Sequence, residues 1–126
     1  MKNYIYFLIL LFMFSCVKNY SIYSECDLAG EALDAWQQIE DFEYYFTKRE
    51  NTSDITIYKK NRTSDFDPHG IYYGNGVIKS ENKYRTLAHE IGHFLGYKHS
   101  TNSNSMMYGY HILSATNFIS LSKKNN

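Results

Sequence analysis

The chain has 126 residues, a formal net charge of zero and 17% aromatic residues, 13 of them tyrosines among Tyr, Phe and Trp. That length suffices for one domain, and the aromatic content can fill a core while leaving tyrosines on the surface. A neutral balance lacks the basic footprint of a nucleic-acid binder, so no nucleic-acid partner is expected.

The N-terminus reads as a targeting segment spanning residues 1–16. Lys2 precedes an unbroken apolar run of ten residues from Ile5 to Phe14. A membrane span needs about twenty, so the run has the size of a signal-peptide core. Ser15 and Cys16 follow at once. This order resembles a bacterial lipobox, in which the Cys becomes an acylated N-terminus, although Met13 and Phe14 replace the usual Leu and small residue. The alternative is simple secretion with cleavage nearby. Both routes place the mature domain, residues 17–126, outside the cytoplasm, either secreted or on the outer surface. The first adds membrane attachment through a lipidated Cys16. Cys26 is then the remaining cysteine, expected as a buried structural thiol.

Along that domain, Tyr20 to Tyr23 suit a first strand. Asp27 can cap a helix running to about Phe42, with Leu28, Ala32, Ala35, Trp36 and Ile39 at helical spacing. Residues 47–53 are a polar loop. Ile55, Ile57 and Tyr58 alternate as in a strand. Lys59 to Gly70 form a polar loop punctuated by Pro68; His69 beside Asp65 and Asp67 offers too few ligands for a metal site. Ile71–Tyr73 and Val77–Ile78 are short strands around the turn-prone Gly74-Asn75-Gly76. Glu81 to Leu95 then reads as a helix. Ser114 can cap a last helix through Phe118, Ile119 and Leu121. No repeat and no second domain are visible.

The most specific feature lies on the Glu81–Leu95 segment and just beyond it. His89, Glu90, His93, Gly96 and His99 spell H-E-x-x-H-x-x-G-x-x-H within eleven residues. On a helix, His89 and His93 point off one face. Gly96 lets the chain leave the helix through a left-handed conformation and bring back His99. Three imidazoles leave a fourth zinc position open, the mark of a catalytic rather than a structural site. Glu90, next to the first ligand, is free to act as general base on a zinc-activated water.

These residues resemble the metzincin clan of zinc endopeptidases, and within it the matrixins. Ser100 after the third His is the matrixin choice, and Met107-Tyr108 matches the matrixin Met-turn pairing, with Gly109 where a proline usually follows. An alternative register makes Met106 the turn residue. Upstream, Ala29 to Tyr58 is also similar: a helix with Ala32, Ala35 and Trp36, then Phe46, then Asp54–Ile57 as a strand. The resemblance implies an α+β, zincin-like fold: a small twisted mixed sheet with an active-site helix, a backing helix and a C-terminal helix. It implies one catalytic Zn2+ on His89, His93 and His99, with Glu90 as the base. The stretch between Ile57 and the site helix is too short for the family's loop that carries further zinc and calcium, which leaves calcium open. Ile71 to Tyr73 becomes the candidate edge strand for an extended polypeptide substrate. Tyr108, Tyr110 and His111 become candidates for the substrate pocket. A monomeric zinc endopeptidase of extracytoplasmic proteins is therefore expected. The alternatives are a zinc-stabilised surface binding protein without catalysis and a zinc hydrolase of a non-peptide amide.

Overall fold

The computed structural model describes residues 16–109. Five strands form one sheet: β1 (Lys18–Ser24), β2 (Phe42–Phe46), β3 (Ile55–Lys59), β4 (Gly70–Tyr72) and β5 (Val77–Ser80). Two helices accompany them, α1 (Ala29–Gln37) and α2 (Tyr84–Phe94). The sheet order is β2-β1-β3-β5-β4. β1 pairs parallel with β2 and β3, and β3 pairs parallel with β5, whereas β4 closes the sheet antiparallel to β5. This is the mixed α+β architecture expected. No helix among the described residues is long and apolar enough to cross a membrane. The targeting segment and the helix expected after Ser114 lie outside the described residues.

β3 is the central strand, and its side chains do not alternate between core and solvent. Ile55, Thr56 and Ile57 are all buried. Ile55 and Ile57 belong to the core, and Thr56 meets Ser53 Oγ at 2.8 Å and the Glu50 carbonyl, which replaces the period-2 pattern with a continuous buried run. Ile22 on β1 and Ile78 on β5 extend this layer, and Leu33, Leu87 and Ile91 close it from the helices. Each such aliphatic side chain contributes about 1.5–3 kcal/mol when fully buried.

α1 is shorter than its apolar spacing suggests. It ends at Gln37, and Phe42 opens β2 instead of closing the helix. The Phe42-Glu43-Tyr44-Tyr45-Phe46 run is rich in strand-forming aromatics, and β1 supplies a partner in register from Lys18↔Phe42 to Ile22↔Phe46. Phe42 packs on Tyr20 at 5.7 Å between ring centroids, and Gln37 Nε2 donates to the Phe42 carbonyl at 2.9 Å across the turn. The helix start also differs. Asp27 does not cap it; Leu28 holds the cap position, and its N–H donates to Asn82 Oδ1 at 3.1 Å. A residue 54 positions away thus serves where a local side chain was expected.

α2 begins at Tyr84 rather than Glu81. Glu81 N donates to the His69 carbonyl at 2.9 Å, and its carboxylate pairs with His69 and with Lys83, so residues 81–83 stay in the connection from β5. The two helices pack against each other. Trp36 Nε1 donates to the Ala88 carbonyl at 2.7 Å. At Gly92, an added Cβ would lie 2.3 Å from Met107 Sδ and 2.6 Å from Trp36 Cζ2. The absence of a side chain there is what lets Met107, 1% exposed, sit beneath the helix.

Gly92→Ala is accordingly expected to lower unfolding stability by about 1–3 kcal/mol through overpacking. Urea denaturation followed by tryptophan fluorescence measures it.

Candidate metal centre

α2 carries His89 and His93 one turn apart, with ring centroids 4.8 Å from each other. The helix then ends in two backbone bonds. Gly96 N donates to His93 O at 3.0 Å and Tyr97 N to Gly92 O at 2.9 Å, with Gly96 at φ 95°. This pair of bonds around a left-handed glycine is a Schellman closure, which turns the chain back on the helix end. His99 arrives three residues later. Ser100 N donates to Met107 O at 2.7 Å, and Ser100 bridges to Tyr108, so the returning segment and the methionine turn are tied together.

The ring nitrogens of the three histidines converge. His99 Nε2 lies 3.1 Å from His89 Nε2 and 3.1 Å from His93 Nε2. The opposite nitrogens are committed elsewhere: His89 Nδ1 lies 2.9 Å from the Met106 carbonyl and His93 Nδ1 2.9 Å from the Tyr97 carbonyl. A carbonyl only accepts, so each Nδ1 carries the proton and each Nε2 presents a lone pair. His99 has at most one Nε2 hydrogen and cannot satisfy both. A cation between the three nitrogens does. Three nitrogens about 2.0–2.1 Å from one tetrahedral zinc stand about 3.3 Å apart, close to the spacing of the two pairs that His99 makes. The donor set therefore fits a zinc ion. It is the only cluster of three or more His, Cys, Asp or Glu side chains among the described residues that could hold a metal.

The electrostatics suit the same use. Burial, reinforced by the neighbouring histidines, holds the His89 imidazole down to about 4, against the opposing pull of the Met106 carbonyl. Burial also lowers His93. Both rings are thus neutral at pH 7, the state in which imidazole ligates.

Glu90, the residue after His89, lies under β4. It is 7% exposed, and burial pushes its carboxyl up to about 7, partly offset by a hydrogen bond from the Tyr72 backbone. Gly70 leaves it room: a Cβ there would lie 2.8 Å from Glu90 Cγ and 2.9 Å from Glu90 Oε1. β4 is the terminal strand of the sheet, as expected for the edge strand, and it packs on α2.

Beneath the histidines, Met107 is the buried side chain and Met106 is only partly buried. Met106 nevertheless contributes its carbonyl to His89, so the two methionines have different parts. Tyr108 is half-buried beside Ser100; Tyr110 and His111 lie outside the described residues. In the 60–69 loop, Asp67 pairs with Lys60 and His69 with Glu81, which leaves no metal cluster there among the described residues. Cys26 is buried, its Sγ 3.7 Å from the Ser80 carbonyl, and burial pushes the thiol up to about 11. Both cysteines are free.

The family model of the matrixins matches residues 72–126. This segment is matrixin-like. It starts in β4 and takes in the whole of α2, the three histidines and the methionine turn. Matrixins are zinc-dependent metallopeptidases, which is the general class the match supports. The likeness read upstream, from Ala29 to Tyr58, falls outside the matched residues. No curated protein matches the chain.

Sequence reasoning missed the main-chain carbonyls of Met106 and Tyr97, because any residue type supplies a carbonyl. It also passed over Gly70 and Gly92, whose importance is a matter of distance to side chains far along the chain.

Glu90 also makes a pH prediction. An unfolded-state carboxyl titrates near 4.5, the folded one near 7. Folding is therefore penalised as pH rises through that window, and the penalty is complete above pH 7. In the metal-free protein, Glu90→Gln should be more stable than wild type by roughly 2–4 kcal/mol at pH 8, with the gap closing toward pH 4.5. Paired denaturant titrations across pH measure the difference.

Proposed function

We propose that the protein is a zinc-dependent endopeptidase. The observation that carries this reading is the convergence of three bare imidazole nitrogens beside a buried carboxylate, on a segment that is matrixin-like. His89, His93 and His99 are the metal ligands in this reading, and Met107 is the turn methionine beneath them. Zinc, when bound, supplies Lewis-acid polarisation of a peptide carbonyl and makes water acidic near pH 7.

Glu90 is the general base. Its carboxylate takes a proton from the attacking water and returns it to the nitrogen of the leaving amine, so the carboxyl ends as it began. A carboxyl that titrates near 7 is suited to both steps at neutral pH, since it can hold the proton without keeping it. Burial under β4 keeps bulk water from competing for that proton. The β4 edge supports an extended polypeptide substrate, whose backbone can add as a further strand and bind whatever its side chains. Tyr108, Tyr110 and His111, after the methionine turn, are proposed to shape the pocket beyond the cut. The apolar run from Ile5 to Phe14 supports an extracytoplasmic substrate, with attachment through a lipidated Cys16 or release by secretion.

The reading is tested on the zinc-loaded full chain, with a mixed peptide library and mass-spectrometric readout. Wild type should cut. Glu90→Ala should keep its zinc and lose about 10²–10⁴-fold in rate, the usual share of a general base. His93→Ala should lose zinc and cleavage together. Cutting by Glu90→Ala at the wild-type rate would sink the assignment. A zinc-bound wild type that cuts small amides but no peptide would move the protein to a different hydrolase class.

A further inference from the structure

The last turn of α1 and the residues just after it reach the candidate metal centre at two places. One is the bond from Trp36 Nε1 to Ala88 O, immediately before His89. The other is Tyr97. Its ring lies 4.7 Å from that of Trp36 at 39° between planes, and its hydroxyl donates to the Glu40 carboxylate. Tyr97 is only 6% exposed.

The backbone of the same residue serves the site. Tyr97 N–H donates to Gly92 O within the helix closure, and Tyr97 C=O accepts the Nδ1 proton of His93 at 2.9 Å. That bond sets the plane of the ring in which His93 Nε2 faces His99. Tyr97 lies outside the helix, directly after a left-handed glycine. No helical ladder dictates the orientation of its carbonyl. The closure bond to Gly92 holds its N–H, and the side chain adds a second anchor, to a carboxylate 57 positions away in the chain.

We propose that Glu40 and Tyr97 are positioning residues of the metal centre. The Tyr97 hydroxyl, anchored on Glu40, holds the Tyr97 main chain where its carbonyl orients His93. The turn after α1 thereby tunes metal affinity from outside the ligand set. This inference rests on reading His89, His93 and His99 as ligands. It differs from plain packing in what it predicts. Packing alone would change the stability of the metal-free protein and leave the affinity of the folded protein untouched. Groups that orient a ligand change the affinity itself, by about 10–100-fold when they contact the ligand directly.

The experiment uses the full chain as wild type, Tyr97→Phe, Glu40→Ala and Glu40→Gln. Zinc affinity is read by competition with a chromophoric chelator, ligand geometry by the visible absorption of the Co2+ form, and stability by the melting temperature without metal. Tyr97→Phe and Glu40→Ala should each weaken zinc binding roughly 3- to 10-fold, less than loss of a direct contact, and change the cobalt spectrum. Combined, they should be no worse than either alone, because both remove one bond. Glu40→Gln keeps an accepting oxygen and should stay within about twofold of wild type. Unchanged zinc affinity and an unchanged cobalt spectrum in folded Tyr97→Phe overturn the proposal, whatever the melting temperature does. If Tyr97→Phe does not fold, Glu40→Ala decides by the same readouts, since it leaves the ring in place. A wild type that binds neither zinc nor cobalt instead overturns the metal-centre reading, and the positioning role with it.

Discussion

His99 Nε2 stands 3.1 Å from the Nε2 atoms of both His89 and His93, and a single ring hydrogen can serve only one of those contacts. Two carbonyls enforce that arrangement. Those of Met106 and Tyr97 take the Nδ1 protons of His89 and His93, and thereby fix the tautomer and the plane of each ring. Both carbonyls come from the chain after α2, not from the helix that carries the two histidines. The site therefore exists only when the helix end, the return to His99 and the methionine turn are all in place. The rest of the fold can be understood as the means of holding those three pieces together.

That holding is done from below and from the side. Met107 fills the space that Gly92 leaves open, so the turn beneath α2 lies close enough for the Met106 carbonyl to reach His89. Trp36 touches the ligand segment near both of its ends, through Ala88 and through the ring of Tyr97. The opposite side belongs to β4. As the antiparallel end of an otherwise parallel sheet, it brings Gly70 and the Tyr72 backbone over Glu90. The same strand thus buries the carboxyl and is the last strand of the sheet among the described residues.

Several local expectations were overruled by contacts across the chain, each for an identifiable reason. Helical spacing continues from Leu28 to Ile39, yet α1 stops at Gln37 because β1 offers Phe42 to Phe46 a complete ladder. Asp27 is a good cap in isolation, but Asn82 reaches Leu28 N–H from the loop before α2. Glu81 suits a first helical turn, yet it is engaged by His69 and Lys83. Ile55 to Ile57 alternate in sequence but are uniformly buried, with Ser53 and the Glu50 carbonyl lying against Thr56. Propensity weighs one residue against its near neighbours, and these outcomes also drew on partners such as His69 and Asn82, 12 and 54 positions away.

The histidine–glutamate motif was legible in the sequence because its geometry is local. A helical period puts His89 and His93 on one face, and the glycine at Gly96 suits the left-handed backbone that ends the helix. The hairpin around Gly74 to Gly76, with its positive φ angles, was legible for the same reason. By itself, then, the sequence determined which side chains could meet a metal and where the helix carrying them must end. Only the tertiary structure decided which nitrogen of each ring faces inward, why Glu90 titrates near 7, and which methionine is buried beneath the site. Those properties depend on carbonyls, burial and close approaches contributed by distant segments. Such contributions leave no residue pattern to read, because any amino acid can supply a carbonyl and burial belongs to the folded chain as a whole.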